Sequence, residues 1–212
     1  LSQAKQYNID IRETTGILIS HGHILHCNDV NALINSMTFG GMDKRSVLVG
    51  NRTVLEGTEN IRPYVTDFHR NCVERNILLE PDKKVGINDA EIQGVKTKHT
   101  DPNTIGFKLF THTFIMGYTS DTEYFKELAR EYKGCDILVL NVQLPDKSKA
   151  EGMMCVEDAS KLIKEVKPKL AILTHFGIKM LDSDILEQAR YVQKHSSVQT
   201  VAATDGLSIT PT

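Results

Sequence analysis

Three of the chain's eight histidines, His21, His23 and His26, fall within six consecutive positions. Chance readily supplies one histidine to a loop, but not three so close together. Neutral imidazole is a good ligand for zinc or iron, and a His-x-His pair at the end of a strand can aim both rings at one point. The surrounding residues supply such a strand. Ile17, Leu18 and Ile19 form a short β-branched apolar run that reads as a buried strand ending at Ser20. After the histidines, Asn28 and Asp29 offer N-cap side chains to a helical pattern with Val30, Leu33, Ile34 and Met37 on one face. A strand that runs through a histidine-rich loop into a helix start is a rigid platform for a metal ion. Cys27, beside His26, reads as small buried filler.

Other strand ends repeat this logic. The apolar run Ala171-Ile172-Leu173-Thr174 delivers His175, and Gly117-Tyr118-Thr119-Ser120-Asp121-Thr122 ends a strand in a loop whose aspartate begins a helical pattern. Taken alone, Asp121 is also a good helix N-cap. His99 lies in Lys98-His99-Thr100-Asp101-Pro102, after a strand and before a proline turn. That is a ligand's location, although by itself the residue reads as a solvent-exposed histidine. Several strand ends presenting His or Asp along one sheet edge describe the site of a hydrolase.

The elements that must position these groups follow from periodicity. Strands are expected near residues 17–19, 46–49 and 76–80, then in a meander at 91–97, 105–110 and 113–118 with Ile87 just before it. The last ninety residues alternate: helix 122–132, strand 136–142, helix 156–166, strand 170–174, helix 182–195 and strand 198–203. A further helix is expected within residues 59–70, starting near Pro63. There are no repeats, low-complexity segments or linker-like stretches, so residues 1–212 read as a single α/β domain.

Composition narrows the function classes. A formal charge of −2 and a pI near 6.5 give no electrostatic case for general attraction to nucleic acid or a membrane surface. No apolar run approaches the roughly 20 residues needed to span a bilayer, and nothing resembles a signal peptide. Cys27, Cys72, Cys135 and Cys155 lack paired spacing and read as reduced thiols of a cytoplasmic protein.

With these residues in view, the chain resembles the metallo-β-lactamase fold hydrolases, near the ribonuclease Z-like and phosphodiesterase-type members. The first motif of that family, His-x-His-x-Asp-His, is matched by His21-Gly22-His23-Ile24-Leu25-His26, with Leu25 in place of the aspartate. His99 is similar to the third-motif histidine, Gly-Tyr-Thr-Ser-Asp121-Thr to the bridging-aspartate motif, and Leu-Thr-His175-Phe-Gly to the last ligand motif. The resemblance implies an αββα sandwich with the site along the edge between two sheets. It implies a first ion on His21, His23 and His99, a second on His26 and His175, and Asp121 bridging as the catalytic carboxylate. The ions would be Zn²⁺, one or two, with Mn²⁺ or Fe²⁺ as substitutes. The activity would be attack of a metal-activated water on an ester or phosphodiester of a small-molecule or nucleotide-type substrate. Nucleic acid is a further substrate that the net charge does not support.

The departures from the family pattern carry their own expectations. Leu25 removes a donor and brings apolar bulk to the second site. Met153 or Met154 stands where ribonuclease Z-like relatives carry a histidine near the leaving group, and neither can donate a proton. About twenty residues precede His21, so the first sheet is expected to lack the N-terminal strands usual in the family. An open sheet edge invites pairing, which makes a homodimer reasonable. Two other readings fit the resemblance: a degenerate member acting as a binding or scaffolding protein, and a di-iron redox member.

Overall fold

The computed structural model describes residues 1–210. In chain order the elements are α1 (Ser2–Gln6), β1 (Gly16–Ile19), α2 (Ile24–Cys27), α3 (Val30–Met37), β2 (Val47–Gly50), α4 (Arg52–Leu55), α5 (Asp67–Cys72) and β3 (Arg75–Leu78). They continue with β4 (Lys84–Ile87), β5 (Ala90–Lys96), β6 (Ile105–Phe110), β7 (Ile115–Tyr118), α6 (Leu128–Glu131) and β8 (Ile137–Asn141). The last are α7 (Val156–Val166), β9 (Leu170–Thr174), α8 (Ile178–Leu181), α9 (Ile185–Ser196) and β10 (Gln199–Ala202).

Two sheets form. The first is parallel, in the order β1-β2-β3, and the second runs β10-β9-β8-β7-β6-β5-β4, antiparallel from β4 to β7 and parallel from β7 to β10. Side-chain alternation along β2 shows how they stack. Leu48 packs toward Ile34, Met37 and Val65, while Val47 and Val49 pack toward Ile92, Ile105 and Phe107 of the second sheet. On the far side of the second sheet, Leu138, Leu140, Ala171 and Leu173 meet Leu162 and Ile163 of α7 and Val192 of α9. Three apolar layers therefore separate helix, sheet, sheet and helix, the expected αββα sandwich.

The first sheet has three strands among the described residues, and there β1 pairs only with β2. One consequence lies in the second sheet. The register Tyr118↔Val139↔Ile172 places Val139 and Ile172 on the face turned toward the first sheet, yet both are only half-buried. They border a groove shared with Leu207 and Ile209 rather than a closed core.

Three helices differ from their expected lengths. Within 59–70 only Asp67 onward is helical, because Thr66 caps that start by accepting from His69 N, while Tyr64 N and Val65 N both bond the Val54 carbonyl. Residues 122–127 are not helical, since Glu123 N donates to the Lys98 carbonyl and Thr122 Oγ1 accepts from Lys98 N. These bonds to the His99 loop divert the backbone groups a helix would use. Asp121 is accordingly no N-cap. The helix expected at 182–195 starts at Ile185 as α9, where Asp184 caps it by accepting from Glu187 N, and α8 is a separate turn before the expected range. Asp29 occupies the N-cap position of α3 without making a cap hydrogen bond. No helix among the described residues is long and apolar enough to cross a membrane.

Candidate metal centre

The six residues expected as ligands come together at the C-terminal ends of four strands. His21 follows β1, His99 follows β5, Asp121 follows β7 and His175 follows β9. β1 belongs to one sheet and the others to the second, so the site closes the gap between the two. His26 is not on a loop: it lies on α2, a single turn that opens directly after His23.

Asp121 is the hub. Its Oδ2 lies 3.2 Å from His26 Nε2, 3.5 Å from His175 Nε2, and 3.7 Å from both His21 Nε2 and His99 Nε2. His23 joins through Nδ1, 3.0 Å from His99 Nε2, and His26 and His175 face each other through Nε2 atoms 3.1 Å apart. Two overlapping donor sets result, His21 with His23 and His99, and His21 with His26 and Asp121.

The surroundings orient each donor. His99 Nδ1 lies 2.8 Å from the Gly152 carbonyl, a bond that places its proton on Nδ1 and leaves the Nε2 lone pair facing inward. Gly152 has φ +68°, and a Cβ there would come within 2.7 Å of His99 Nδ1, so only glycine permits the approach. Asn141, the last residue of β8, donates to Asp121 Oδ1 at 2.7 Å, which leaves Oδ2 for the cluster. Ser20 Oγ sits 3.0 Å from His21 Nδ1. Two turns that carry candidate ligands hold non-glycine residues at positive φ, Ser120 at 56° and His175 at 57°. Such conformations occur where surrounding structure over-determines them, most often at functional sites.

Electrostatics agree with a cation. Burial, reinforced by the neighbouring His26, pushes His21 down to about 3, so its ring is neutral and free to bind a metal. Burial also lowers His23, aided by His99. For Asp121 burial would raise the carboxyl, but bonds from His175, His26 and Asn141 outweigh it and hold the group well below the usual carboxylate range. His21 Nε2 is fully buried without a hydrogen-bond partner. A buried acceptor left unpaired within reach of an anionic carboxylate is costly unless a positive ion satisfies it. The residues therefore fit a metal, one or two ions.

Leu25 does not fill the second site. Its side chain is 80 % exposed and lines the cavity mouth, so the expected apolar bulk beside the second ion is absent. Cys27 is not a substitute ligand: its thiol donates to the His23 carbonyl and burial pushes it up to about 11. Met153 lines the cavity, whereas Met154 is in the core.

One residue of the site escaped sequence reasoning. Asp101 is buried and accepts from Gly22 N, Asn51 Nδ2, Thr53 Oγ1 and Asn103 N at 2.9–3.3 Å. Burial opposes its charge, yet these four donors lower its pKa. It ties the His21-Gly22-His23 turn to the His99 loop. A buried-looking Asp two residues after a candidate ligand, in an Asp-Pro turn, is the only local signal for it.

A family model described as "Beta-lactamase superfamily domain" matches residues 2–176, a span that holds all six residues. The chain belongs to the β-lactamase superfamily. Members are generally metal-dependent hydrolases, phosphodiesterases among them, with small-molecule or nucleic-acid substrates. An uncharacterized protein of Methanocaldococcus jannaschii is 33% identical over 198 residues, covering 92% of this chain and 74% of that protein. The fold is also that of the metallo-β-lactamase fold protein YhfI from Bacillus subtilis, at a TM-score of 0.80 and 17% identity, over 96% of this chain and 81% of that one. Human tRNase Z, short form, aligns at a TM-score of 0.68 and 17% identity, over 99% of this chain and 83% of that chain.

Proposed function

We propose that the protein is a metal-dependent hydrolase that directs water onto an ester or phosphodiester. His21, His23 and His99 would hold one ion, His26 and His175 a second, and Asp121 would serve both. The observation that carries this reading is the Asp121 carboxylate oxygen lying within 3.2–3.7 Å of four imidazole nitrogens from both sheets. Zn²⁺ suits an imidazole-rich set with one carboxylate, and Mn²⁺ or Fe²⁺ could replace it. Bound there, the metal would acidify water toward neutral pH and polarise the scissile centre.

The chain's own residues do the rest. Asp121 remains anionic at working pH and, fixed by Asn141, keeps one oxygen turned into the cluster. His21 stays neutral because it is buried, and His99 is oriented from behind by the Gly152 carbonyl. In a phosphodiester, the water oxygen forms a bond to phosphorus as the bond to the leaving oxygen breaks. The leaving group departs with the electron pair and the water's proton passes to solvent. Met153 has no proton to give, so leaving groups of low pKa are favoured, and loss of acid assistance costs on the order of 100- to 10,000-fold on poor ones. The four free, buried cysteines suit a reducing, cytoplasmic setting.

The test is hydrolysis of bis-p-nitrophenyl phosphate by metal-stripped protein reloaded with Zn²⁺ or Mn²⁺. Metal-dependent turnover that falls at least 100-fold in Asp121→Ala and His23→Ala supports the reading. If loaded protein hydrolyses neither phosphodiesters nor thioesters above the free-metal background, the binding or scaffolding reading replaces it.

A further inference from the structure

The ring of residues around the candidate centre is unlike the centre itself. One cavity of about 680 Å³ contains His23, His26, His99, Asp121 and His175. Its mouth is lined by Ile24, Leu25, Met153 and Ile178, which are 61%, 80%, 37% and 79% exposed. Phe176, half-buried, and Leu144, buried, continue the same surface inward. Single apolar residues on a surface are ordinary, but four large ones gathered at the rim of one cleft mark a binding surface. The volume is that of a pocket for a small molecule.

Charge excludes the main competitor. Apart from the clustered residues, Lys179 and Glu151 are the only charged groups lining the cavity, and they are opposite in sign. A polynucleotide is held largely by several cations neutralising its phosphates. The adjoining surface, which shares Ala150, Glu151 and Met153, adds Lys149 and Lys161 but also Glu123 and Asp158, so carboxylates match the cations and no such track forms. A small monoanionic ester bearing a hydrocarbon group, by contrast, meets an apolar wall on one side and the metal centre on the other.

Building on the hydrolase reading above, we propose that the substrate is a compact ester, of the phosphodiester class, whose non-reacting part is an apolar alkyl or aryl group seated against Ile24, Leu25, Met153 and Ile178. The apolar group contributes binding, and the leaving group is one that departs without protonation.

Alkyl p-nitrophenyl phosphates from methyl to octyl test this with Zn²⁺-loaded protein. The expected kcat/KM rises about twofold or more per methylene, mostly through KM, until the cavity is filled. Ile178→Ser combined with Met153→Ser should flatten that series; both side chains are exposed at the rim, so the core stays intact. Alkylphosphonates, which cannot be hydrolysed, supply a second readout: their affinity should rise with chain length by the same factor. A flat series in both measurements, or cleavage of a single-stranded oligonucleotide with a kcat/KM equal to the octyl diester, overturns the proposal. If no diester is hydrolysed but phosphonate affinity still rises with chain length, the hydrolase reading falls and the apolar site stands.

Discussion

Asp101 joins the loops of the candidate centre although it belongs to neither donor set. Its carboxylate is the acceptor for Gly22 N, between two candidate ligands, and for groups on α4 and the turn that follows His99. Removing it leaves four donors without their acceptor, two of them buried, and should loosen the relation between His23 and His99. Asp101→Ala should therefore lower Zn²⁺ affinity about 10- to 100-fold, the usual effect of losing an outer partner of a ligand. Asp101→Asn keeps one acceptor oxygen but turns an amide N–H toward two of the donors, so it should recover only part of the affinity, which competition with a chromophoric chelator would measure. Equal affinity in Asp101→Ala and the parent protein would show that the two loops are held without it. The candidate ligands were legible in the sequence because they are chemically distinctive residues, with His21, Asp121 and His175 set just after strands and His23 and His26 clustered close behind His21. Asp101 was not, because its role exists only where residues 22, 51, 53 and 103 meet. The outward course of Leu25 was equally hidden, since sequence shows which side chain is present and not which way a one-turn helix carries it.

At the scale of elements, the strands were legible and the short helices were not. Continuous or alternating apolar runs fix a strand almost alone, as at residues 137–141 and 170–174, because both faces are buried or patterned. Residues 122–132 carry helical spacing, with Phe125, Leu128, Ala129 and Tyr132 buried, yet only Leu128–Glu131 is helical. There the bonds to the Lys98 backbone override a four-residue propensity, a tertiary effect that local pattern cannot reveal. A similar device lies at the opposite end of the second sheet. Asp136 accepts from Ile115 N at 2.9 Å and pairs with Lys169 at 3.0 Å, while its own carbonyl accepts from Lys169 N and Leu170 N. It ties the starts of β7, β8 and β9. The Ile115 amide, then Lys169, lowers its pKa, so its charged form is favoured in the folded state. A lowered carboxyl stabilises the fold above the unfolded value near 3.8, and that contribution is lost as pH falls below it. Asp136→Asn should cost on the order of 1 kcal/mol at pH 7, the range for a partly solvated charge-assisted bond. In urea titrations the gap between the two proteins should narrow toward pH 3. A gap of constant size would assign the effect to shape rather than charge.

For the whole molecule, the arrangement makes metal binding a link between the two sheets. His21, His23 and His26 hang from β1 and α2, whereas His99, Asp121 and His175 stand on the second sheet. An ion that binds these groups only in the folded state stabilises the fold by about 2.7 kcal/mol at a free concentration 100 times its Kd. In a chain of this size that is roughly 5–10 °C in Tm. The two donor sets should not fill together. His21, His23 and His99 supply three imidazoles with Asp121 3.7 Å from two of their nitrogens, while the His26 and His175 side has leucine where the family pattern has a carboxylate. Without that charge, repulsion between two dications some 3.5–4 Å apart is less offset. Calorimetric titration of metal-stripped protein with Zn²⁺ should thus show one tight step that raises Tm and one weak step that adds little. His23→Ala should abolish the tight step and most of the thermal gain, and His175→Ala should affect only the weak one. Hydrogen exchange should slow on tight binding in residues 20–30 and 97–104, the segments that carry ligands from opposite sheets, and remain unchanged in β8. Two equally tight steps would show that another donor compensates for Leu25, and Cys27 would not be it, because its thiol faces the His23 carbonyl.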